Sequence, residues 1–560
     1  MSFHRSARFF TALAFIGCVG WGHSQQQAQT PGPLPTIKAN ARLVLVDVIP
    51  TDSHGNFIPD LAIGDFKVFE DGTPQTISSL EIYRPKASPS PSTVNSAVDT
   101  SNNANTTAPK PSFSEKPITV ILVDSLNTDM SDQGEGRKAT LKVLEGLPPG
   151  QQMIVFALGT RLHLLQPLTG NTDQLLAAVN KLTASKSLLL VTPDDKERQE
   201  DMLLDIASTG FPIAHLRQLL AENDASAQDH RVMVTCDALR QLARTVARYP
   251  GRKNLLWLSG AFPFSVGPDM RLLDPWGVQR NYSPMVRATS AILSRVNIAV
   301  YPIDVRGLIV TAIPATATSR VALAEGPTLI KERQNAAVDP QSTMQEIADQ
   351  TGGKAFYNTN DLKQSIARSI DNGASYYVLS YTPPQGKPDG KFRKIRVEVA
   401  RKHLSLAYRR GYYGEESGPA ISDAQLAREL ELAMDRDSPP STELLVNASV
   451  LSNQNGVLDA RYTINQAQLR IHGLQGEPLD LNFIASLTAW DEHGKITSHL
   501  VQRVHVPLTP NLAANIEQDG VMLTIRSNST GDYTQVRVGI LDLQTGRIGI
   551  TDILPAHRAK

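Results

Sequence analysis

Between Ile118 and Val123 five residues of six are aliphatic, the sixth is Thr119, and the run stops on an acid, Asp124. A strand with one face in water alternates apolar and polar side chains, whereas a strand covered on both faces does not. The run therefore calls for a sheet buried on two sides, built from parallel strands with helices packed above and below. The following sequence has the matching rhythm. An amphipathic segment over 137–147 precedes a strand at 152–158, a second strand at 162–165 and a helix at 172–182. A helix over 238–247, a strand at 253–258, a helix at 285–294 and a strand at 297–303 that ends on Asp304 continue it, and a helix spans 342–351. Strands alternating with helices at this spacing predict right-handed crossovers and a doubly wound, mostly parallel α/β sheet over 117–357. A carboxylate at the carboxyl end of such a strand lies where open α/β sheets place ligands, which singles out Asp124.

The chain of 560 residues is too long for one core. Its 55 Lys+Arg balance 55 Asp+Glu, so its overall charge does not recruit nucleic acid or an anionic membrane. His4, Arg5 and Arg8 precede an apolar run from Phe9 to Trp21 and then Gly22-His23-Ser24, the pattern of a signal peptide over 1–24. The expected location is extracytoplasmic: periplasmic, associated with the outer envelope, or secreted. The apolar run is short for a membrane span, and no later stretch is long enough. Residues 15–18 loosely match a lipoprotein cleavage box that would anchor the chain through Cys18, although Phe15 and the very short apolar region argue against it. With Cys18 removed, Cys236 remains alone in an apolar helical pattern and reads as an inert core thiol.

β modules flank the central domain. A small one is expected over 40–83, with strands at 43–49, 66–70 and 76–82 and a hairpin turn at Asp71-Gly72, which makes Glu70 and Asp71 a solvated pair. Residues 84–116, rich in Pro, Ser, Asn and Thr, read as a disordered linker, and 307–338 as a loop. The acidic run at 193–201 reads as a solvated helix start inside a polar, partly helical insertion. A β-rich extension is expected over 358–414, with a strand from Ser375, a turn at 388–390 and an outward basic face at Lys391, Arg393, Lys394 and Arg396. After a helical connector over 423–436, strands at 445–451, 467–471, 481–490, 498–506, 521–525 and 535–542 predict a C-terminal β-sandwich over 444–552.

The order of several short segments resembles the von Willebrand factor A-like proteins of the acidobacterial type. These are residues 65–72 (DFKVFEDG), 122–128 (LVDSLNT), 147–151 (LPPGQ), 257–260 (WLSG), 301–307 (YPIDVRG), 351–353 (TGG) and 376–384 (YYVLSYTPP). The resemblance covers about 40–414 and implies a von Willebrand A/Rossmann-like fold. It also implies a metal-ion-dependent adhesion site, in which hard oxygen ligands hold Mg2+ or another divalent cation and leave one position for a partner's carboxylate. Asp124 and Thr128 match two positions of that motif, and Thr169 is the candidate for its loop threonine. Leu126 replaces a hydroxyl and Ser259 stands where a later acid is expected, so the site is degenerate. A metal-free Asp124 making local turn hydrogen bonds is the alternative.

The resulting expectation is an exported, non-enzymatic protein of adhesion or scaffold type that binds another extracytoplasmic protein at the domain rim. No nucleophile elbow, zinc-protease helix, phosphate loop or paired cysteine ligands occur in the sequence. The alternatives are a hydrolase using Asp124, Asp304 and a histidine such as His215, and a structural envelope component with no rim site. Asp304, Arg306 and Gly307 read more simply as a turn held by an acid and a guanidinium.

Overall fold

The computed structural model describes residues 44–84, 117–147, 151–260, 265–307, 341–359, 361–383, 391–413, 422–452, 457–469, 471, 479–529 and 531–553. The expected leader with Cys18, the linker after Arg84, the loop after Gly307 and the turn at 388–390 lie outside them. The N-terminal strands are β1 (Val44–Thr51), β2 (Phe66–Glu70), β3 (Thr73–Gln75) and β4 (Ile77–Tyr83). The central part runs β5 (Ile118–Asp124), α1 (Met130–Glu145), β6 (Met153–Leu158), β7 (Leu162–Thr169), α2 (Thr172–Asn180), α3 (Pro193–Ser208) and α4 (Ala214–Val246). It continues with β8 (Lys253–Ser259), β9 (Ser265–Val266), β10 (Arg280–Asn281), α5 (Ser283–Arg295) and β11 (Ile298–Asp304). The chain is thus a mixed α/β protein in which one mostly parallel sheet stands among several antiparallel ones.

The parallel sheet has the order β11-β8-β5-β6-β7, with only β7 antiparallel. The run that opened the sequence is its central strand and is buried along its whole length. Ile118, Val120 and Leu122 pack with Val232, Leu239 and Val246 of α4 and Val286 of α5. Ile121 and Val123 face the other way, onto Val143 of α1 and Ile366 and Ile370 of the helix Leu362–Ala374. Each such aliphatic side chain stabilises the fold by about 1.5–3 kcal/mol, which is why both layers are needed. The helix Leu362–Ala374 therefore belongs to this domain and corrects the boundary expected at 357. Leu362, Ile366 and Ile370, one helical turn apart, supply its buried stripe. Before it, Gly353 lies so close to β11 that a Cβ would come within 1.9 Å of the Val300 carbonyl oxygen, so no larger residue fits.

Lys253 starts β8 from a buried position and donates to the carbonyls of Tyr249 (2.7 Å) and Gly251 (2.9 Å). Burial pushes its ammonium down to about 8 from an ordinary 10.5. Between those values the unfolded chain holds the extra proton, so stability rises with pH across the window and the cost of the buried charge is fully present below it. Denaturant unfolding at pH 7 and pH 10 should show the parent gaining up to about 3 kcal/mol relative to Lys253→Met. Equal slopes for the two proteins would refute this.

The two β segments expected as separate modules form one. β1 pairs with β12 (Tyr376–Tyr381) and with β14 (Ser405–Tyr408), and β12 pairs with β4. β2 pairs with β13 (Phe392–Val399), which also pairs with β15 (Gly411–Tyr413). The apolar faces of 44–83 are too few to close a core alone, and partners some 300 residues away complete it. The Asp71-Gly72 turn forms as expected, with both residues at positive φ. Glu70 departs from expectation, because it is buried and accepts from the hydroxyls of Tyr381 (2.6 Å) and Tyr412 (2.8 Å). Arg252 ties this module to the α/β domain through Asp47 (3.1 Å), the Gly352 carbonyl (2.8 Å) and the Tyr301 hydroxyl (3.3 Å).

At the C-terminus β16 (Val446–Ser452), β17 (Val457–Ile464) and β20 (Val521–Asn528) form one antiparallel sheet. β18 (Leu481–Trp490), β19 (Ile496–Val506), β21 (Gln535–Asp542) and β22 (Ile548–Ile553) form another, and both sheets share an apolar core. The strand expected at 467–471 is instead a single 3-10 turn, Gln466–Gln468, capped by Asn465. β17 and β22 were not expected, although Leu458, Ala460, Tyr462 and Ile464 alternate inward along β17.

Candidate functional site

Parallel pairing sets the site's frame. Val123 lies opposite Leu258, and Ser259 opposite Asp304, so Asp124, Ser259 and Asp304 end three neighbouring strands at one height. Strand alternation puts Asp124 on the face of Leu122, and Ser259 on that of Trp257, both turned toward α4.

Asp124 is 1% exposed and held by protein donors. Its Oδ1 accepts from the Asn127 backbone N–H (3.0 Å). Its Oδ2 accepts from Asn127 Nδ2 (2.8 Å), Trp257 Nε1 (2.9 Å) and Ser259 Oγ (2.9 Å). Three donors thus converge on Oδ2 and one on Oδ1, so protein groups take up most of the carboxylate's accepting capacity. Burial pushes the Asp124 carboxyl above its ordinary value, while the same donors pull in the opposite direction. Thr128 Oγ1 donates to the Asp124 carbonyl and accepts from the Gly260 N–H (2.9 Å), so its hydroxyl closes the exit of β8 onto the exit of β5. Gln133 braces that loop, donating to the carbonyls of Thr128 (2.9 Å) and Ser185 (2.8 Å).

Thr169 is not brought to Asp124. It lies opposite Met153 at the amino end of β6, whereas Asp124 lies opposite Leu158, roughly 17 Å along the strand. β7 runs antiparallel and carries its end back to the lower edge of the sheet. There Thr169 bonds Gln174 Oε1 (2.7 Å) and accepts from the Asn171 N–H (3.1 Å). The remaining pair, Asp124 and Thr128, does not suit a divalent ion. Amide, indole and hydroxyl donors occupy the oxygens that an ion needs, and a guanidinium sits next to them. Arg231 of α4 donates from Nη1 to Asn127 Oδ1 (3.0 Å), and Asn127 Nδ2 also reaches Thr235 Oγ1 (2.8 Å).

Asp304 is fully buried and gripped by its own turn. Arg306 donates Nε to Oδ1 (2.9 Å) and Nη2 to Oδ2 (2.8 Å), which is the acid–guanidinium turn expected there. His215 is exposed in the first turn of α4, sixteen residues (231 − 215) and about 24 Å along the helix from Arg231. Asp124, Asp304 and His215 are therefore not assembled into a hydrolytic site. Cys236 is buried, and burial pushes its thiol up to about 11, well away from nucleophilic use.

Sequence reasoning missed Trp257, Arg231 and Thr235. Trp257 stands two residues before Ser259 and so shares its face. Arg231 and Thr235 are one turn apart on the buried stripe of α4, a place where an arginine has to have a reason.

Above the rim stands a structure that the sequence showed only as a charged insertion. α4 is buried only from Arg231 onward, so residues 214–230 project about 25 Å past the sheet. Thr192, Pro193 and Asp195 start α3 with a capping box, and the Thr192 N–H and hydroxyl hold the Asp195 carboxyl down at about 2. Glu200 of α3 bonds Arg217 of α4 (2.9 Å) and faces Arg271 (3.7 Å). Asp274 N–H donates to Gln218 Oε1 (3.1 Å), and Asp229 takes Arg280 (2.8 Å) and the Tyr282 hydroxyl (2.8 Å). On this overhang Phe211, Leu219 and Leu273 are exposed, with Met270 77% and Trp276 63% open to solvent.

No protein-family model and no curated protein matches the chain. Among solved structures it is similar to an aerotolerance-related membrane protein from Bacteroides fragilis, with 11% identity and a TM-score of 0.25 over 46% of this chain and 98% of that one. It is similar to a von Willebrand factor type A protein from Catenulispora acidiphila, with 11% identity and a TM-score of 0.22 over 57% and 79%. It is also similar to proximal thread matrix protein 1 of the mussel byssus with a zinc-occupied MIDAS motif, with 9% identity and a TM-score of 0.23 over 49% and 48%. Scores of this size fix no overall fold, and the architecture stands on its own strand order.

Proposed function

We propose that the chain is an exported, non-enzymatic protein of adhesion or scaffold type that binds another extracytoplasmic protein at the rim of its von Willebrand A-like domain, without a bound cation. The observation that carries this reading is the overhang. Several large apolar side chains are exposed on it, alongside the charged Glu200, Asp269 and Arg271, which supports an interaction surface, and tryptophan is enriched among the anchors of such surfaces. The degenerate adhesion site beneath is, on this reading, a rigid footing for the overhang. Export rests on the leader pattern at 1–24.

The test is recovery of a partner from an envelope fraction by the full chain, followed by affinity measurement with that partner. Trp276→Ser with Leu273→Ser should weaken binding about 30-fold or more, and EDTA should leave it unchanged. Undiminished binding by the double variant would place the contact elsewhere, and loss of binding in EDTA would refute the cation-free reading.

A further inference from the structure

Arg231 is 5% exposed, yet among the described residues no carboxylate lies within ion-pairing distance of it. Nη1 is spent on a neutral amide oxygen, Asn127 Oδ1, and Nη2 makes only a 3.5 Å contact with Gln228. Nε finds no acceptor. Asp124 lies on the far side of Asn127 and its charge favours the guanidinium, but the two groups do not touch. Burial brings the guanidinium down to about 10, with the charge of Asp124 pulling the other way and that of Arg306 adding to the fall. The unpartnered Nε of Arg217 and Arg244 is a different matter, since those guanidiniums touch Glu200, Glu429 and Glu443 through other nitrogens.

What fits this unsatisfied edge is shown elsewhere in the same molecule. Arg271, Arg306, Arg526 and Arg537 each present Nε and Nη2 side by side to the two oxygens of one carboxylate, with contacts of 2.7–3.1 Å. In Arg231 the same fork meets no carboxylate among the described residues: Nε has no acceptor and Nη2 has only the 3.5 Å contact with Gln228. A planar, bidentate anion satisfies both nitrogens at once and restores neutrality to a buried charge, which a single-point donor or a neutral group does not.

We infer that the Nε–Nη2 edge of Arg231 is a receptor for a carboxylate, supplied by an acidic side chain of the bound protein. The inference rests on the protein-binding reading for the source of the acid, but the receptor itself does not. The site takes its positive charge from the chain itself.

The test uses the full chain with acetate as the probe, acetamide as the neutral isostere and sodium chloride at matched ionic strength. Acetate should raise the melting temperature saturably by about 2–4 °C, while acetamide and chloride should not. Arg231→Gln keeps a donor for Asn127, and it should fold and lose the acetate response. In parent protein labelled at arginine Nε with 15N, acetate should move one N–H signal downfield, the one missing from the Arg231→Gln spectrum. No acetate response, or an equal response in Arg231→Gln, overturns the inference. Where Arg231→Gln does not fold, Arg231→Lys serves to assign the Nε signal, since lysine keeps the charge and lacks that N–H. A partner assay that fails while acetate still binds removes the protein-binding reading alone, and a flat acetate titration beside a working partner assay removes the receptor alone.

Discussion

Glu429→Ala should cost about 3–5 kcal/mol and loosen the C-terminal β domain from the α/β domain. Glu429 lies on the helix Asp423–Met434, and its two oxygens are shared by two arginines of α4, Arg240 at 3.0 Å and Arg244 at 2.5 Å. Arg240 also holds Asp237 and Thr289 Oγ1, and Arg244 also holds Glu443 and the Gly546 carbonyl. The side chains of Arg240, Arg244, Glu429 and Glu443 are all 6% exposed or less, so the network lies in the seam rather than on the surface. The two glutamates hold the Arg244 guanidinium above its ordinary range despite burial. Without Glu429 two guanidiniums keep their desolvation cost and lose their shared counter-charge, which is far worse than never having had the pair. Urea unfolding together with hydrogen exchange in β21 would measure both effects. Glu429→Met combined with Arg240→Met should recover much of the loss by apolar packing. A loss below about 1 kcal/mol would show that this network does not hold the seam.

Asp124→Ala should be comparably damaging, at about 3–5 kcal/mol, through the protein donors that lose their acceptor. The substitution takes away the shared acceptor of the Asn127 N–H and Nδ2, the Trp257 indole N–H and the Ser259 hydroxyl, all buried, of which Asn127 Nδ2 keeps Thr235 Oγ1. A buried donor left unsatisfied costs about 1–3 kcal/mol, and partial relaxation keeps the total below the sum. Asp124→Asn, which keeps the shape but turns two donors toward the others, should fall between the variant and the parent. The Trp257 indole N–H gives a local readout, since its resonance should shift and its exchange should quicken in Asp124→Ala. Millimolar Mg2+ or Mn2+ should change neither the parent's stability nor this signal. A metal-dependent rise in stability that vanishes with Asp124→Ala would restore the adhesion-site reading in its metal-bound form.

Much of the α/β domain was legible because burial on two faces leaves its mark on composition. The aliphatic run ending on Asp124, the strand ending on Asp304 and the interleaved helices each follow from local periodicity. The closing of Asp124 by Asn127 was half legible, since an acid followed three residues later by an amide forms turn hydrogen bonds locally. The contributions of Trp257, Thr235 and Arg231 were not, because they arrive from 133, 111 and 107 residues downstream of Asp124 (257 − 124, 235 − 124, 231 − 124). Thr169 was assigned to the rim on the order of motifs alone. A local pattern says that 162–169 is a strand but not which way it runs.

The sequence by itself determined the kinds of element, the central strand and the position of an acid at its end, since these are set by interactions between residues a few positions apart. Only the tertiary structure decided that β7 turns back, that 44–83 is completed by 376–413, and that Asp124 is sealed by protein donors next to a guanidinium whose bidentate edge stays unsatisfied. The reason is physical. Strand direction, distant pairing and the balance of buried charge depend on which segments share a core, and periodicity along the chain carries no record of that choice.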